Sequence, residues 1–287
     1  MPAIQLTDRT VILAAGPDAR SFLQNIVTTD ISALAEGEVR PGALLSPQGK
    51  IVFDFVISRA GEDTFRLDCR RDIAEAFLKR LMLYRLRAKV ELSLREEALI
   101  AVSWDNDSTA SQNDSTLLDR RFPEMLGVLR HYGKAVAEEC DIGLWHRLRI
   151  EHGVAEGGWD YAFGDAFPHD VLFDQNGGVG LAKGCYVGQE VVSRMHHRGT
   201  ARRRLVIVEG EAPLPAPGME VTAEGRTIGA LGSVSDRIGL AIVRIDRAAE
   251  ANAAGTPILA GGVKLSLRPP AYARFSLTES GGKEGTA

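Results

Sequence analysis

The run Lys183-Gly184-Cys185-Tyr186-Val187-Gly188-Gln189-Glu190 sets one thiol between two glycines and beside a lysine, at a predicted strand–helix turn where a helix begins. A helix N-terminus and a neighbouring cation both favour thiolate over thiol, so this setting predicts a reactive or metal-binding sulfur. Cations crowd the neighbourhood. Residues 183–204 carry Lys183, Arg194, Arg198, Arg202, Arg203 and Arg204 against the single acid Glu190, with His196 and His197 among them. By composition alone the same cysteine is equally well read as a small buried hydrophobe in a Gly-rich turn.

Four further blocks precede it. Gly16-Pro17-Asp18-Ala19 leads to Phe22-Leu23-Gln24, Thr28 and Asp30, and Ser46-Pro47-Gln48-Gly49-Lys50-Ile51 is followed by Asp54. Asp119-Arg120-Arg121 precedes Leu126-Gly127 and Arg130, and Arg149-Ile150-Glu151-His152-Gly153 closes a helical stretch. Together with K-G-C-Y-x-G-Q-E, and in this order, these blocks resemble the YgfZ family of folate-binding proteins. That family includes mitochondrial factors that help mature 4Fe-4S proteins. The resemblance spans roughly residues 3 to 275, with one departure: Arg120 stands where the family usually has proline. The Arg149–Gly153 block is also similar to one in the glycine-cleavage T-protein.

The resemblance implies an α+β, T-protein-like clover-leaf of three subdomains with a C-terminal antiparallel β-barrel. It implies tetrahydrofolate or a derivative in a central cavity, with Glu151 holding the pterin and Asp54 near the reactive folate nitrogen. It adds Lys183, Tyr186 and Arg194 to the folate contacts. Cys185 becomes the functional thiol and the ligand of a transient iron–sulfur cluster, with iron–sulfur assembly proteins and 4Fe-4S client enzymes as partners and an indirect link to tRNA modification. The alternative is an aminomethyltransferase passing a one-carbon unit to tetrahydrofolate by positioning and electrostatics. Against it, Cys185-Tyr186 stands where T-proteins typically carry Asp-Phe, and the chain is short for that family.

Taken alone, the residues permit a plainer reading of the same sites. Glu151 at a helix end suits a surface ion pair with Arg147 or Arg149, and Asp54 lies between Val52 and Val56 on one face of a strand, either functional or solvated. A carboxylate there has the right chemistry for a pterin, accepting two parallel N–H bonds.

A chain of 287 residues exceeds one typical domain. The formal net charge of −4 provides no global basic field and argues against direct nucleic-acid binding. Two local runs, 70–89 and 183–204, each carry an excess of five positive charges, which would suit an anionic folate tail if they faced one cleft. Three cysteines without a C-x-x-C pair argue against a disulfide framework and a closed zinc site. That usage fits a reducing compartment. With no apolar run near ~20 residues and no clear signal or transit pattern, a cytoplasmic protein away from membranes is expected.

Along the chain, Val11–Leu13 predicts a strand turning at Gly16-Pro17 into a helix capped by Asp18. Residues 50–58 alternate, with Ile51, Phe53, Phe55 and Ile57 on one face and Asp54 on the other. Phe65, Leu67 and Cys69 share a strand face, so Cys69 reads as core. Asp72 and Glu75 read as a capping box before a helix bearing Ile73, Phe77, Leu81 and Tyr84, and Val90, Leu92 and Leu94 alternate in another strand. Residues 105–116 read as an exposed loop, Cys140 as structural, and Leu144, Trp145 and Leu148 as a buried helix stripe. Short β-rich runs from Leu205 predict a small barrel: Leu205–Val208, Met219–Ala223, Thr227–Ser235, Leu240–Ile245 and Ile258–Leu267. The predicted domains are thus 1–204, 205–275 and a disordered tail at 276–287. A P-loop is excluded, because six residues separate Gly42 from Gly49 and Ile51 follows Lys50. No G-x-S-x-G or H-E-x-x-H occurs.

Overall fold

Ile12, Leu67 and Ile57 stand in one row across three neighbouring strands, β2 (Arg9–Ala15), β5 (Thr64–Arg70) and β4 (Ile51–Gly61), and all three are fully buried. One residue along, the row Val11, Asp68 and Val56 faces the opposite way, as the two-residue period of a strand requires. In this computed structural model the described residues are 1–95, 98–105, 115–135 and 139–277. The chain divides into two compact units, one of residues 1–142 and 176–193, the other of residues 143–175 and 194–287.

The first unit carries a mixed nine-stranded sheet. Its other strands are β1 (Ala3–Gln5), β3 (Glu38–Leu45), β6 (Glu91–Arg95), β7 (Ile100–Ser103), β8 (Thr116–Asp119) and β9 (Leu129–Tyr132). The order is β1-β7-β9-β8-β3-β4-β5-β2-β6, with β3 and β8 parallel. Helices α1 (Ala19–Ile26) and α2 (Arg71–Arg85) bury Phe22, Leu23 and Ile26, and Phe77 and Leu81, in one core with Phe53, Phe55, Phe65, Leu67 and Cys69. Phe77 stacks on Phe53 and Phe55 at 4.9 and 5.3 Å between centroids. Burying each such ring contributes on the order of 2–3 kcal/mol.

Both predicted helix caps need correction. Asp18 occupies the N-cap of α1, but its carboxylate accepts from the Lys89 amide at 2.8 Å instead of capping the helix. Asp72 lies inside the first turn of α2, where it pairs with Arg70, the true N-cap residue, through bonds of 3.0 and 2.7 Å. The bidentate pair takes the carboxylate that a capping box would use.

The second unit contains a closed antiparallel barrel in the order β10-β13-β12-β11-β14-β15. Its strands are β10 (Arg203–Gly210), β11 (Glu220–Ala223), β12 (Arg226–Ser235), β13 (Ile238–Arg244), β14 (Ile258–Ala260) and β15 (Val263–Arg268). The predicted single strand 258–267 is a hairpin, broken at Gly261 and Gly262, whose φ angles of 55° and 86° are those of a tight two-residue turn. Ile245 starts a helix, α5 (Ile245–Ala253), which buries Ala248, Ala249 and Ala251; residues this small have too little hydrophobic contrast to mark a stripe. Helix α3 (Ile142–Glu151) buries Trp145, Arg149 and Ile150, whereas Leu144 is exposed. The stripe predicted on leucines is therefore rotated, because a buried arginine occupies part of it. Most of the predicted loop 105–116 and most of the tail from 276 lie outside the described residues.

Candidate functional site

The thiol-bearing run lies in the first unit and is pinned at both ends. Gly180 donates its amide to Thr28 O at 2.8 Å, and Thr28 Oγ1 donates to Gly178 O at 2.7 Å. Lys183 turns inward, donating from Nζ to Val27 O at 2.7 Å and Thr29 O at 2.8 Å, and only 8% of it is exposed. Its amine sits 5.1 Å from the centroid of the buried Tyr186 ring. Burial pushes the Lys183 pKa down to about 8 against the pull of Asp30, and burial raises the Tyr186 phenol to about 12.

At the other end, Gly188 has φ +80°, and a Cβ there would meet Ser46 O at 2.6 Å. Gly49, at φ +79°, likewise leaves no room beside Val191, whose Cβ would be 2.8 Å from an added methyl. The two glycine-containing blocks, Ser46–Ile51 and Lys183–Glu190, thus pack backbone against backbone.

Cys185 itself is exposed, while Cys140 is half-buried and Cys69 is buried. The prediction that Cys185 opens a helix needs correction. Helix α4 (Gln189–Arg198) begins four residues later, because the Gly188 turn intervenes. The helix dipole therefore acts on Gln189 and Glu190, and the Lys183 charge is held on backbone carbonyls. Cys69 behaves as the predicted core residue, with burial pushing its thiol up to about 12.

Asp54, also in the first unit, sits on the face of β4 opposite the helical core, in register with Ala43, and is buried. Glu151 and Arg194 belong to the second unit. Glu151 is the last residue of α3 and pairs with Arg147 at 2.8 Å on the surface. Arg194 is exposed on α4. The expected basic field over 183–204 is smaller than its sequence, since Lys183 and Arg204 are both buried; Arg204 is tied to Asp174 at 2.9 Å and to His169 O at 2.9 Å. Among the described residues, no three His, Cys, Asp or Glu side chains converge where they could hold a metal ion. A cavity of about 740 Å³ is lined by Val11, Leu13, Leu94 and Tyr132 with Arg66 and Arg95, and involves none of the predicted site residues.

Two buried polar clusters went unread. In the first unit, Asp68 accepts from Arg9 at 2.6 Å, from Arg130 at 2.5 Å and from the Tyr132 hydroxyl at 3.1 Å. Asp119 pairs with Arg121 at 2.7 Å and lies 3.5 Å from Arg130. Burial would raise the Asp68 pKa, but the Arg130 and Arg9 guanidiniums outweigh it and hold the carboxyl below its usual value. The Asp119…Arg121…Arg130 block is thus a buried ion network.

In the second unit, Arg149 is fully buried and donates to Val154 O at 2.8 Å, Asp160 Oδ2 at 3.1 Å and Ser233 Oγ at 3.2 Å. Asp160 accepts the Ser233 amide at 2.8 Å, and Gly232 leaves it room, since a Cβ there would lie 2.7 Å from Asp160 Oδ1. His169 is 1% exposed, and neither ring nitrogen has a hydrogen-bond partner among the described residues. Arg121, Arg130 and Arg149 stand in the sequence blocks that carry the family resemblance, but no local pattern marks them as buried or points to their partners.

The sheet and the closed six-stranded barrel define a glycine-cleavage T-protein-like fold. Residues 5–103 match the family described as GCVT N-terminal domain, and residues 202–275 match that described as CAF17, C-terminal beta-barrel domain. A glycine cleavage system aminomethyltransferase T from Bartonella henselae superimposes with a TM-score of 0.71 at 16% identity, covering 93% of this chain and 84% of that one, a likeness of fold.

Sequence relatives are more specific. The mitochondrial iron-sulfur cluster assembly factor IBA57 of Mus musculus is 30% identical over 274 residues, 84% of this chain and 76% of the relative. That of Homo sapiens is 31% identical over 271 residues, 83% and 76% respectively. The chain belongs to the IBA57 family of iron-sulfur cluster assembly factors. The expectation of a cytoplasmic protein is corrected by the same finding, because these relatives are mitochondrial proteins by name. The earlier inference rested on cysteine usage and on the lack of a clear leader pattern, and neither separates one reducing compartment from another. No helix among the described residues is long and apolar enough to cross a membrane.

Proposed function

We propose that this chain is a YgfZ-type assembly factor in which Cys185 lends one thiolate to an iron–sulfur cluster on its way to 4Fe-4S client enzymes. The observation that carries this is the contrast within one run. Lys183, Tyr186 and Gly188 are committed to packing, while Cys185 between them is the exposed one of the three cysteines. A single thiolate leaves a cluster's remaining ligands to a partner, an assembly protein or a client, so the cluster is cargo passed between chains. Radical iron–sulfur enzymes of tRNA modification are among the clients such a factor would serve, and the relatives' names suggest a mitochondrial setting.

Replacing Cys185 by Ser tests this directly. The change is nearly isosteric, but the hydroxyl stays protonated and ligates iron poorly. In cells lacking the native chain, Cys185→Ser should lower 4Fe-4S enzyme activity while the purified variant melts as the parent does. Full client activity with the Ser variant would remove the proposal's foundation.

A reduced folate is the second part of the proposal, supported by the T-protein-like fold and by the acceptor chemistry of two carboxylates, Glu151 and Asp54. The exposed Arg147–Glu151 pair is worth only about 0.3–0.5 kcal/mol, so it can yield to a pterin. Glu151→Ala should weaken tetrahydrofolate binding by about 1.5–3 kcal/mol in calorimetry. An absence of heat and of thermal shift at millimolar ligand would exclude folate. Aminomethyl transfer is the less favoured reading: incubation with aminomethyl-lipoyl carrier and tetrahydrofolate should yield no methylene-tetrahydrofolate above background.

A further inference from the structure

Across β5, β2 and β6, the rows Asp68–Val11–Arg95 and Arg66–Leu13–Ser93 lie on the sheet face turned away from α1 and α2. The cavity of about 740 Å³ opens over this face and has the size of a small-molecule site. Its lining combines apolar side chains, Val11, Leu13 and Leu99, with two arginines, Arg66 and Arg95. None of the described lining residues is acidic, in a chain where 38 Asp and Glu outnumber 34 Lys and Arg. Leu99 is 44% exposed, an apolar side chain left open to solvent beside two cations.

Arg66 is held in place. Its Nη1 donates to Arg59 O at 2.8 Å, and its guanidinium lies 5.3 Å from the centroid of the Tyr132 ring. Tyr132 in turn donates its hydroxyl to Asp68 at 3.1 Å, so it lends the cavity its ring. The buried charge that Tyr132 joins has the same sign as the rim. Arg9, Arg121 and Arg130 meet only Asp68 and Asp119, and neither Nη1 nor Nη2 of Arg130 has a hydrogen-bond partner among the described residues. A cationic excess shielded from water acts on a nearby ligand more strongly than an exposed charge does.

We propose that this cavity binds a small aromatic carboxylate, with Arg66 and Arg95 on the carboxylate and the apolar lining against the ring. A guanidinium both grips two carboxylate oxygens and stacks on aromatic faces, so it serves both ends of such a ligand. Inorganic phosphate would leave the apolar lining bare, and a flexible aliphatic acid would lose more conformational freedom on binding than a rigid ring does. The site goes beyond the proposed function, since neither Cys185, Asp54 nor Glu151 lines it.

The probe is 2-naphthoate, titrated into the full chain by calorimetry, with neutral 2-naphthamide and aliphatic decanoate as comparisons. Naphthoate should bind with a Kd of about 1 mM or tighter. The amide should bind at least about tenfold more weakly, and so should naphthoate to Arg95→Gln, the loss expected for a charge-assisted hydrogen bond. Arg95 is exposed, so this variant keeps the fold. Ala98→Trp, which fills the cavity and leaves both arginines, should abolish binding. Tetrahydrofolate at saturation should leave the naphthoate affinity unchanged, and Glu151→Ala should do the same.

No heat at ~10 mM naphthoate would overturn the proposal, as would equal affinity for the amide or unchanged binding in Arg95→Gln and Ala98→Trp. Tighter binding of decanoate than of naphthoate would overturn the aromatic class. Displacement of naphthoate by tetrahydrofolate would make the cavity part of the folate site and overturn its independence.

Discussion

His169 is a buried imidazole whose two nitrogens find no hydrogen-bond partner among the described residues, and its replacement by leucine makes a sharp test of the second unit's energetics. The ring is surrounded by three charged or titratable groups: Asp174, which favours its protonation, and Arg204 and His196, which oppose it. His196 lies 6.4 Å away between ring centroids and continues to His197 at 5.4 Å. Burial is the largest influence and pushes the His169 pKa down from 6.5 to about 4.

The sign follows from linkage. The folded chain holds His169 neutral while the unfolded chain takes up a proton below 6.5, so stability from this group is full above pH 6.5 and is lost as pH falls towards 4. With those two values, the difference between pH 7 and pH 5 is about 2 kcal/mol, each pKa unit being worth about 1.36 kcal/mol. His169→Leu removes the titration. It also removes two buried polar atoms without partners, so the variant should equal or exceed the parent in stability at pH 7.

The assay is urea unfolding followed by tryptophan fluorescence at pH 7, 6 and 5. Two of the three tryptophans, Trp145 and Trp159, lie in the unit that contains His169. The parent should lose about 2 kcal/mol more than His169→Leu between pH 7 and 5. Identical pH slopes in parent and variant would refute the reasoning, and so would a variant several kcal/mol less stable at pH 7.

Asp68→Asn should cost about 3–5 kcal/mol, because it leaves Arg9 and Arg130 buried without their counter-charge; thermal melts would read this as a large drop, and a shift of a degree or two would contradict it. In the parent, the stability Asp68 contributes is present above its unfolded pKa and should vanish as pH falls below 3.8 through its depressed folded value, visible as acid unfolding. Lys183→Met strips donors from Val27 O and Thr29 O and should destabilise by about 1–3 kcal/mol; since the folded amine loses its proton near pH 8 and the unfolded one near 10.5, parent stability from this group rises across pH 8–10.5, and the Met variant should lack that rise in denaturation titrations. Alkylation followed by mass spectrometry should label exposed Cys185 first and buried Cys69 last, and comparable rates would contradict the burial pattern.

Periodicity alone located the elements whose side chains alternate cleanly between oil and water. The strand 51–57 could be read because Ile51, Phe53, Phe55 and Ile57 repeat with period two, and α2 because Phe77 and Leu81 repeat with period four. The barrel strands were legible for the same reason, and so was the core position of Cys69. Motif order carried the family likeness and singled out Cys185. Local patterns failed where a polar residue takes an apolar residue's place, as Arg149 does on α3, or where a helix is built from alanines, as in α5.

Tertiary structure alone decided which charges are interior. Lys183, Arg130, Arg149 and Arg204 lie in the sequence like solvated residues, and their burial depends on carbonyls and carboxylates far away in the chain: Val27 for Lys183, Asp68 for Arg130, Ser233 for Arg149 and Asp174 for Arg204. The same holds for the two glycines of the thiol run. One is pressed against Ser46 and the other faces open space, a distinction that arises only when distant segments are brought to van der Waals contact. A sequence specifies which groups need partners, because burying an unpaired charge is prohibitively costly; which partner is near enough to serve is a property of the folded chain.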